Sequence, residues 1–309
     1  MPHADDSTLT PPFPARYPAC PMGSRAICVS RDAGVRQAVG DALARHGVPC
    51  DHHDALPSET TDVALLVVDR ETREAAGDAL RNALAPVIVV GDSLDDDALF
   101  ALMTEAPVSH LVGDPTTREL GVTSEKLVSK DLFGLEKYLA PGTPVGHREV
   151  HDEAGKRTAI SEICSWAEGA GARRPLIHRI ASVADELLMN AMIDAPRESQ
   201  PTLAYDPHAP LHRALLRWGA DAGQLAISVD DRFGAIRQRD VIEHVRRARA
   251  DRGRPNLGDP GAGLGLYLVL ANVSSLIVNL DPGRRTEVIA VFELGRRRKR
   301  NTSLHVFSA

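Results

Sequence analysis

Three short segments in the second half of the chain carry residue types and spacings that could do chemistry. Within a helical stretch, Glu186-Leu-Leu-Met-Asn190-Ala191 sets an acid and an amide four residues apart, on one face and one turn from each other. A side-chain amide oxygen is a hard donor of the kind magnesium accepts beside water and phosphate oxygens. A carboxylate one turn away can orient or deprotonate a water or hydroxyl. The second segment, Val229-Asp230-Asp231-Arg232-Phe233-Gly234, ends an apolar strand. A carboxylate leaving a strand above a pocket can accept from an exocyclic amine such as the adenine N6. The third, Gly261-Ala262-Gly263-Leu264-Gly265-Leu266, runs into an apolar helix. Closely spaced glycines let backbone N–H groups approach phosphates, and a helix N-terminus adds a favourable dipole. This box follows no first strand of a βαβ unit and lacks a Gly-Lys-Ser/Thr ending, so it is neither the dinucleotide fingerprint nor the P-loop. Taken singly, each segment has a plain explanation: a solvated helix face, a strand-ending turn, a glycine-rich loop.

The elements that must position these residues fall into two patterns. From Arg25 onward, short apolar runs (AICVS, VALLVVD at 63–69, PVIVVGD at 86–92, SHLVGD at 109–114) alternate with helical stretches such as DAGVRQAVGDALARHG and ETREAAGDALRNAL. That alternation predicts βαβ units and a parallel sheet covered on both faces. Residues 24–139 are therefore expected to form an α/β doubly wound, five-stranded domain, with any site at the carboxyl ends of its strands. The Pro/Gly break APGTPVGH opens an expected linker over 140–150. Beyond it, helices are expected near 151–170, 176–194 and 239–249, with strands near 211–218 and 224–230. SLIVNLD and TEVIAVFEL read as closing strands. Runs of helices and runs of antiparallel strands predict an α+β two-layer sandwich over 151–295.

The order of the three boxes, followed by Thr286 on a closing strand, resembles the GHKL ATPase superfamily (the Bergerat ATPase fold), which includes gyrase, histidine kinases and MutL. The resemblance covers about residues 150–295, and GAGLGLYLV at 261–269 looks like the second glycine box of histidine kinases. It implies ATP and Mg2+ as cofactors. Asn190 would hold the metal, and Glu186 would be the catalytic or water-orienting acid. Asp230 would bind adenine, with Gly234 beside it. Gly261, Gly263, Gly265 and Leu266 would shape the phosphate loop and its helix, and Thr286 would face the adenine or a phosphate. The loop 250–262 would be the ATP lid, with Arg252 and Arg254 able to meet phosphate charge. Two positions depart from the pattern: Arg232 stands where many of these kinases have Gly, and Asp194 where the anti-sigma kinases have His.

A histidine kinase needs a long two-helix module bearing an exposed His followed by an acid. Only His147, His151 and His178 are candidates in the stretch before Glu186, and His151-Asp152-Glu153 reads as a solvated helix start. The compact layout is closer to the anti-sigma factor serine/threonine kinases. In that branch Glu186 would assist a partner hydroxyl, while positioning and magnesium would do most of the phosphoryl transfer. Two alternatives stand beside this expectation: a non-catalytic ATP-gated protein-interaction switch, and an atypical histidine kinase.

The first half resembles the receiver domain of response regulators. VALLVVD ends in Asp69, where a receiver has its phosphoacceptor, and Asp32 stands near the acidic cluster. Gly91 occupies the place of the usual Ser/Thr, and Gly113 or Asp114 that of the usual Lys. Without that lysine a phosphoryl oxygen loses its main charge partner. The resemblance thus implies a degenerate receiver, used as a docking or dimerisation surface. The expected partners are proteins of a signalling pathway or a second copy of the chain.

Composition fits this assignment. At 309 residues the chain is about two domains long. With 36 Lys+Arg against 42 Asp+Glu, net −6, there is no global cationic field, and only 4% of residues are aromatic. Both weigh against nucleic acid as a partner. No stretch approaches the roughly 20 apolar residues that span a bilayer. MPHADDSTLTPPFPARYP at the start lacks the features of a signal peptide and reads as a disordered lead over 1–23. Four cysteines without a CxxC pair suit a reducing, cytoplasmic setting. Residues 296–309, opening with Arg296-Arg297-Arg298-Lys299-Arg300, read as a basic, solvated tail.

Overall fold

The computed structural model describes residues 25–57, 63–105, 107–199, 212–250, 264–295 and 301–309. The N-terminal lead, most of the expected lid and the basic run at 296–300 lie outside the described residues, as do Gly261 and Gly263. In the first half the apolar runs become strands β1 (Arg25–Val29), β3 (Val63–Asp69), β4 (Val87–Val90) and β5 (Val108–Val112), joined by the short β2 (Cys50–His53). All five are parallel, in the order β2-β1-β3-β4-β5. Helices α1 (Ala33–Arg45), α2 (Arg70–Arg81), α3 (Asp97–Glu105) and α4 (Arg118–Ser129) connect them. Strand β2 is exposed along most of its length and offers no apolar run to read, so the sequence alone does not announce it.

In the second half, β6 (Val145–Val150), β7 (Ala214–Ala220), β8 (Gln224–Asp231), β9 (Ser275–Asp281) and β10 (Arg285–Glu293) pair antiparallel in the order β9-β10-β8-β7-β6. Helices α5 (Glu153–Gly169), α6 (Arg174–Met189), α7 (Ala195–Ser199), α8 (Gln238–Ala250) and α9 (Leu264–Asn272) complete it. Two expected boundaries are corrected here. The 140–150 segment is not a free linker, because its second part is β6, hydrogen-bonded along β7 from Val145 to Val150. The 296–309 segment is not all solvated tail, because Ser303–Ser308 form β11, which sits between β5 and β9 and joins both halves into one eleven-stranded sheet. Leu304, Val306 and Phe307 in β11 are almost fully buried. The adjoining charge run masks this apolar alternation when the sequence is read by composition.

The strands alternate their side chains between two cores, as period-2 geometry requires. Helices α2, α3, α5, α6, α8 and α9 share one core with Ile27, Val29, Leu66, Val68, Leu225, Ile227 and Val229. Helices α1 and α4, with the segment 132–139, share the other core with Leu65, Val67, Ala226, Ile289 and Phe307. Consecutive residues of β8 and β10 therefore look into different environments. The site turns on that alternation.

Candidate functional site

Helix α6 carries its apolar residues Leu176, Ile180, Val183, Ala184, Leu187 and Leu188 toward the sheet, and a proline in its first turn suits the unsatisfied N-terminus. It does not end cleanly. The chain passes through one π-turn, Asn190–Asp194, in which the Ala195 N–H donates to the Asn190 carbonyl, and then into α7. Such turns insert an extra residue into a helix and recur at functional sites. Here the turn brings Asn190, Ala191, Asp194, Ala195 and Glu198 along one wall of a cavity.

The facing wall comes from β8, β9 and β10, through Val229, Asp231, Val278, Thr286 and Val288, with Ile236 and Val241 beside them. Gly265 and Leu266, at the start of α9, close the end. The cavity volume is about 70 Å³, and its mouth is partly open to solvent. Its walls are chiefly aliphatic, with a few polar groups converging, as small-molecule sites usually are.

Asp231 and Thr286 oppose each other in the β8–β10 register. Asp231 is buried, and its Oδ1 accepts from the backbone N–H groups of Phe233 (2.8 Å) and Gly234 (3.2 Å). Burial pushes its carboxyl above the usual range, and the amides of Phe233 and Gly234 and then the hydroxyl and amide of Thr286 partly offset this. Thr286 is 3% exposed, and its hydroxyl faces the Asp231 carboxylate across the strand pair.

The expected site residues divide accordingly. Asn190, Gly265, Leu266 and Thr286 come together in the cavity. Asp230 does not join them. It lies on the opposite face of β8, where Arg285 Nε donates to its Oδ1 at 2.6 Å. The carboxylate expected beside Asn190 is supplied by Asp231 instead. One residue along a strand reverses the face. A signal for this is present in the chain: the bulky apolar residues Leu225, Ile227 and Val229 occupy the odd positions of β8, which puts Asp231 in phase with the helix-covered face.

Gly234 also serves differently than expected. It has φ +55°, and a Cβ there would lie 2.2 Å from the Asp281 carbonyl oxygen. Its lack of a side chain lets the turn after β8 press against the β9–β10 turn and hand its amide to Asp231. Glu186 is outside the cavity lining; its Oε1 packs against Gly265, so closely that a Cβ there would sit 1.7 Å away. Burial, then the charges of Asp194 and Asp185, push its pKa up, against Lys156. Burial likewise raises Asp194. Asp194 stands in the motif only as a departure and Glu198 not at all, because both reach the cavity through the π-turn.

The residues at this end of the cavity carry the donor and acceptor types that a magnesium nucleotide would call on. Asp231 is an acceptor for an amine, the Thr286 hydroxyl can donate or accept, and the Asn190 amide is a hard metal donor. Among the described residues no group of three or more His, Cys, Asp or Glu side chains could hold a metal ion, so a metal here would need ligand oxygens as well.

In the first half, Asp69 stands at the end of β3 and caps α2 by accepting from Thr72 N–H at 2.8 Å. The Ser30 hydroxyl donates to its other oxygen. Asp32 caps α1 through Gly34 and Val35. Among the described residues, no helix is long and apolar enough to cross a membrane.

No family model and no curated protein matches the chain. Among solved structures, it is similar to a chain of the SiaB–SiaC complex from Pseudomonas aeruginosa at 15% identity, over 47% of this chain and 88% of that one, with a TM-score of 0.32. An overlap that loose bears on neither fold nor function.

Proposed function

We propose that the chain is an ATP-binding signalling protein, with a GHKL-type ATPase site in its second half and a degenerate receiver-like first half. Its proposed activity is that of a magnesium-dependent serine/threonine protein kinase of the anti-sigma style, acting on a protein partner. The supporting observation is the convergence of Asn190, Asp231, Thr286 and Gly265 on one aliphatic cavity. The magnesium nucleotide, when bound, supplies the transferable phosphoryl group. Asp231 accepts the exocyclic amine of the base, while Val229, Val278 and Val288 exclude water around the ring. The Asn190 amide orients the metal. Glu186, with its pKa raised by burial, is suited to take a proton from a hydroxyl brought to the rim beside Gly265.

Calorimetric titration with Mg-ATP tests the binding claim. Wild type should bind, Asp231→Asn should bind much more weakly, and Asp230→Asn should stay near wild type. Absence of heat with wild type removes the proposal. Labelled ATP with candidate partner proteins tests the kinase claim, since transfer should vanish in Glu186→Ala. A second reading, a non-catalytic ATP-gated switch, is favoured by Glu186 lying outside the cavity lining and by Arg232 and Asp194 at the departing positions. It predicts nucleotide binding without transfer.

A further inference from the structure

On the face of the sheet opposite the cavity, three buried oxygens have no hydrogen-bond partner: Ser228 Oγ, Asp230 Oδ2 and Glu287 Oε1. Their residues are 0%, 7% and 0% exposed. Asp230 and Glu287 oppose each other directly in the β8–β10 register, which brings their Cβ atoms within about 5.5 Å. Like charges so placed repel, the more so out of water.

The satisfied half of each carboxyl is as informative as the empty half. Asp230 Oδ1 accepts from Arg285, whose guanidinium stacks 4.3 Å over the Phe133 ring. Glu287 Oε2 accepts from Asn279 Nδ2 (2.8 Å) and from the Gly134 N–H (2.9 Å). Each carboxyl therefore has one oxygen held by donors and one oxygen bare. A single proton between the bare oxygens would satisfy both at once.

We propose that Asp230 and Glu287 form a proton-sharing carboxyl pair that seals the 133–138 segment onto the back of the sheet. Several charged groups face this pair. Arg285 and Arg217 approach from β10 and β7, and Lys126 from α4. Arg217 is engaged with Glu136 at 3.0 Å, and Lys137 with Asp131 at 3.0 Å. Lys126, 1% exposed, donates to Asn279 Oδ1 (2.7 Å) and the Tyr138 hydroxyl (3.0 Å) and lies 3.8 Å over the Phe307 ring. Its own burial depresses its pKa, so it is a weaker counter-charge than a surface lysine. Burial first, and then the Glu287 charge, raise the Asp230 carboxyl to about 7, against Arg285 and Arg217.

The unfolded carboxyl loses its proton near 3.8, whereas the folded one keeps it to about 7. Between those values the folded chain holds more protons than the unfolded chain, so stability falls as pH rises through the window and levels off above it. Opening of the 133–138 segment should increase over the same range, because Gly134 is tied to Glu287.

Infrared titration of the intact protein tests the pair directly. Beside the bands of Glu186, Asp194, Glu198 and Asp231, whose carboxyls burial also raises, one further protonated-carboxyl band should be present at pH 5.5 and vanish with a midpoint near neutrality. The same band should be missing from both Asp230→Asn and Glu287→Gln, because either amide supplies a fixed N–H in place of the shared proton. Gly134 amide exchange should accelerate in wild type as the band disappears. Absence of the band from wild type overturns the proposal, as does its retention in either variant. If one variant fails to fold, the wild-type titration and the other variant still decide.

Discussion

Asp69 and Asp231 are both strand-end aspartates that accept backbone N–H groups, yet they end in opposite conditions. Asp69 is closed: one oxygen caps α2 and the other takes the Ser30 hydroxyl. Asp231 opens on a cavity of about 70 Å³ with a partly open mouth, opposite the Thr286 hydroxyl. A strand end favours Asp for local backbone reasons in both halves. It becomes a binding site only where the surrounding elements withhold partners and leave space. In the first half the neighbouring residues consume the acid, whereas in the second half the π-turn after α6 holds the opposite wall back.

Perturbing the turn that feeds Asp231 should have the largest effect. Gly234→Ala places a Cβ against the backbone of the β9–β10 turn at positive φ, and should cost about 3 kcal/mol of stability, read from denaturant midpoints. Asp231→Ala should weaken Mg-ATP binding by about 1.5–3 kcal/mol in calorimetry, the range for a hydrogen bond to a charged group. Because burial raises the Asp231 pKa, the ionised acceptor is lost at a higher pH than for an ordinary aspartate. Wild-type affinity should therefore fall as pH is lowered through that pKa, and Asp231→Asn should remove this contribution.

Asp69→Ala separates the two acids. Losing a helix cap should lower stability by about 1–2 kcal/mol, with nucleotide affinity unchanged. Incubation with a small phosphodonor should leave Asp69 unmodified by mass spectrometry, since both its oxygens are engaged. A modified Asp69 would break the contrast. The smallest effect is expected from Thr286→Val: affinity should drop by about 0.5–1.5 kcal/mol. The Asp231 pKa should rise in the same variant, read from the pH dependence of binding, because the Thr286 hydroxyl helps hold that carboxylate.

Much of the local structure is legible in the chain. The alternation of apolar runs and helical stretches marks most of the elements. The four-residue spacing of Glu186 and Asn190 marks a shared helix face, and the glycine box marks the start of α9, where Gly265 and Leu266 reach the cavity. These features depend on neighbours within a few residues, so local pattern suffices. Strand β2 and strand β11 are not announced in the same way. One is short and exposed, and the other is six residues beside a charge run, stabilised by strands more than a hundred residues away in one case.

Tertiary structure alone chose between Asp230 and Asp231. Both are strand-end acids of the same type, one residue apart, and strand geometry sends them to opposite faces. Which face holds the cavity depends on where α6 with its π-turn and α9 settle, and which holds the polar seam depends on where the 133–138 segment settles. Sequence thus determined that an acid would stand at the end of β8. Packing decided which acid was left with room for a ligand, because burial and partners are properties of the assembled surroundings.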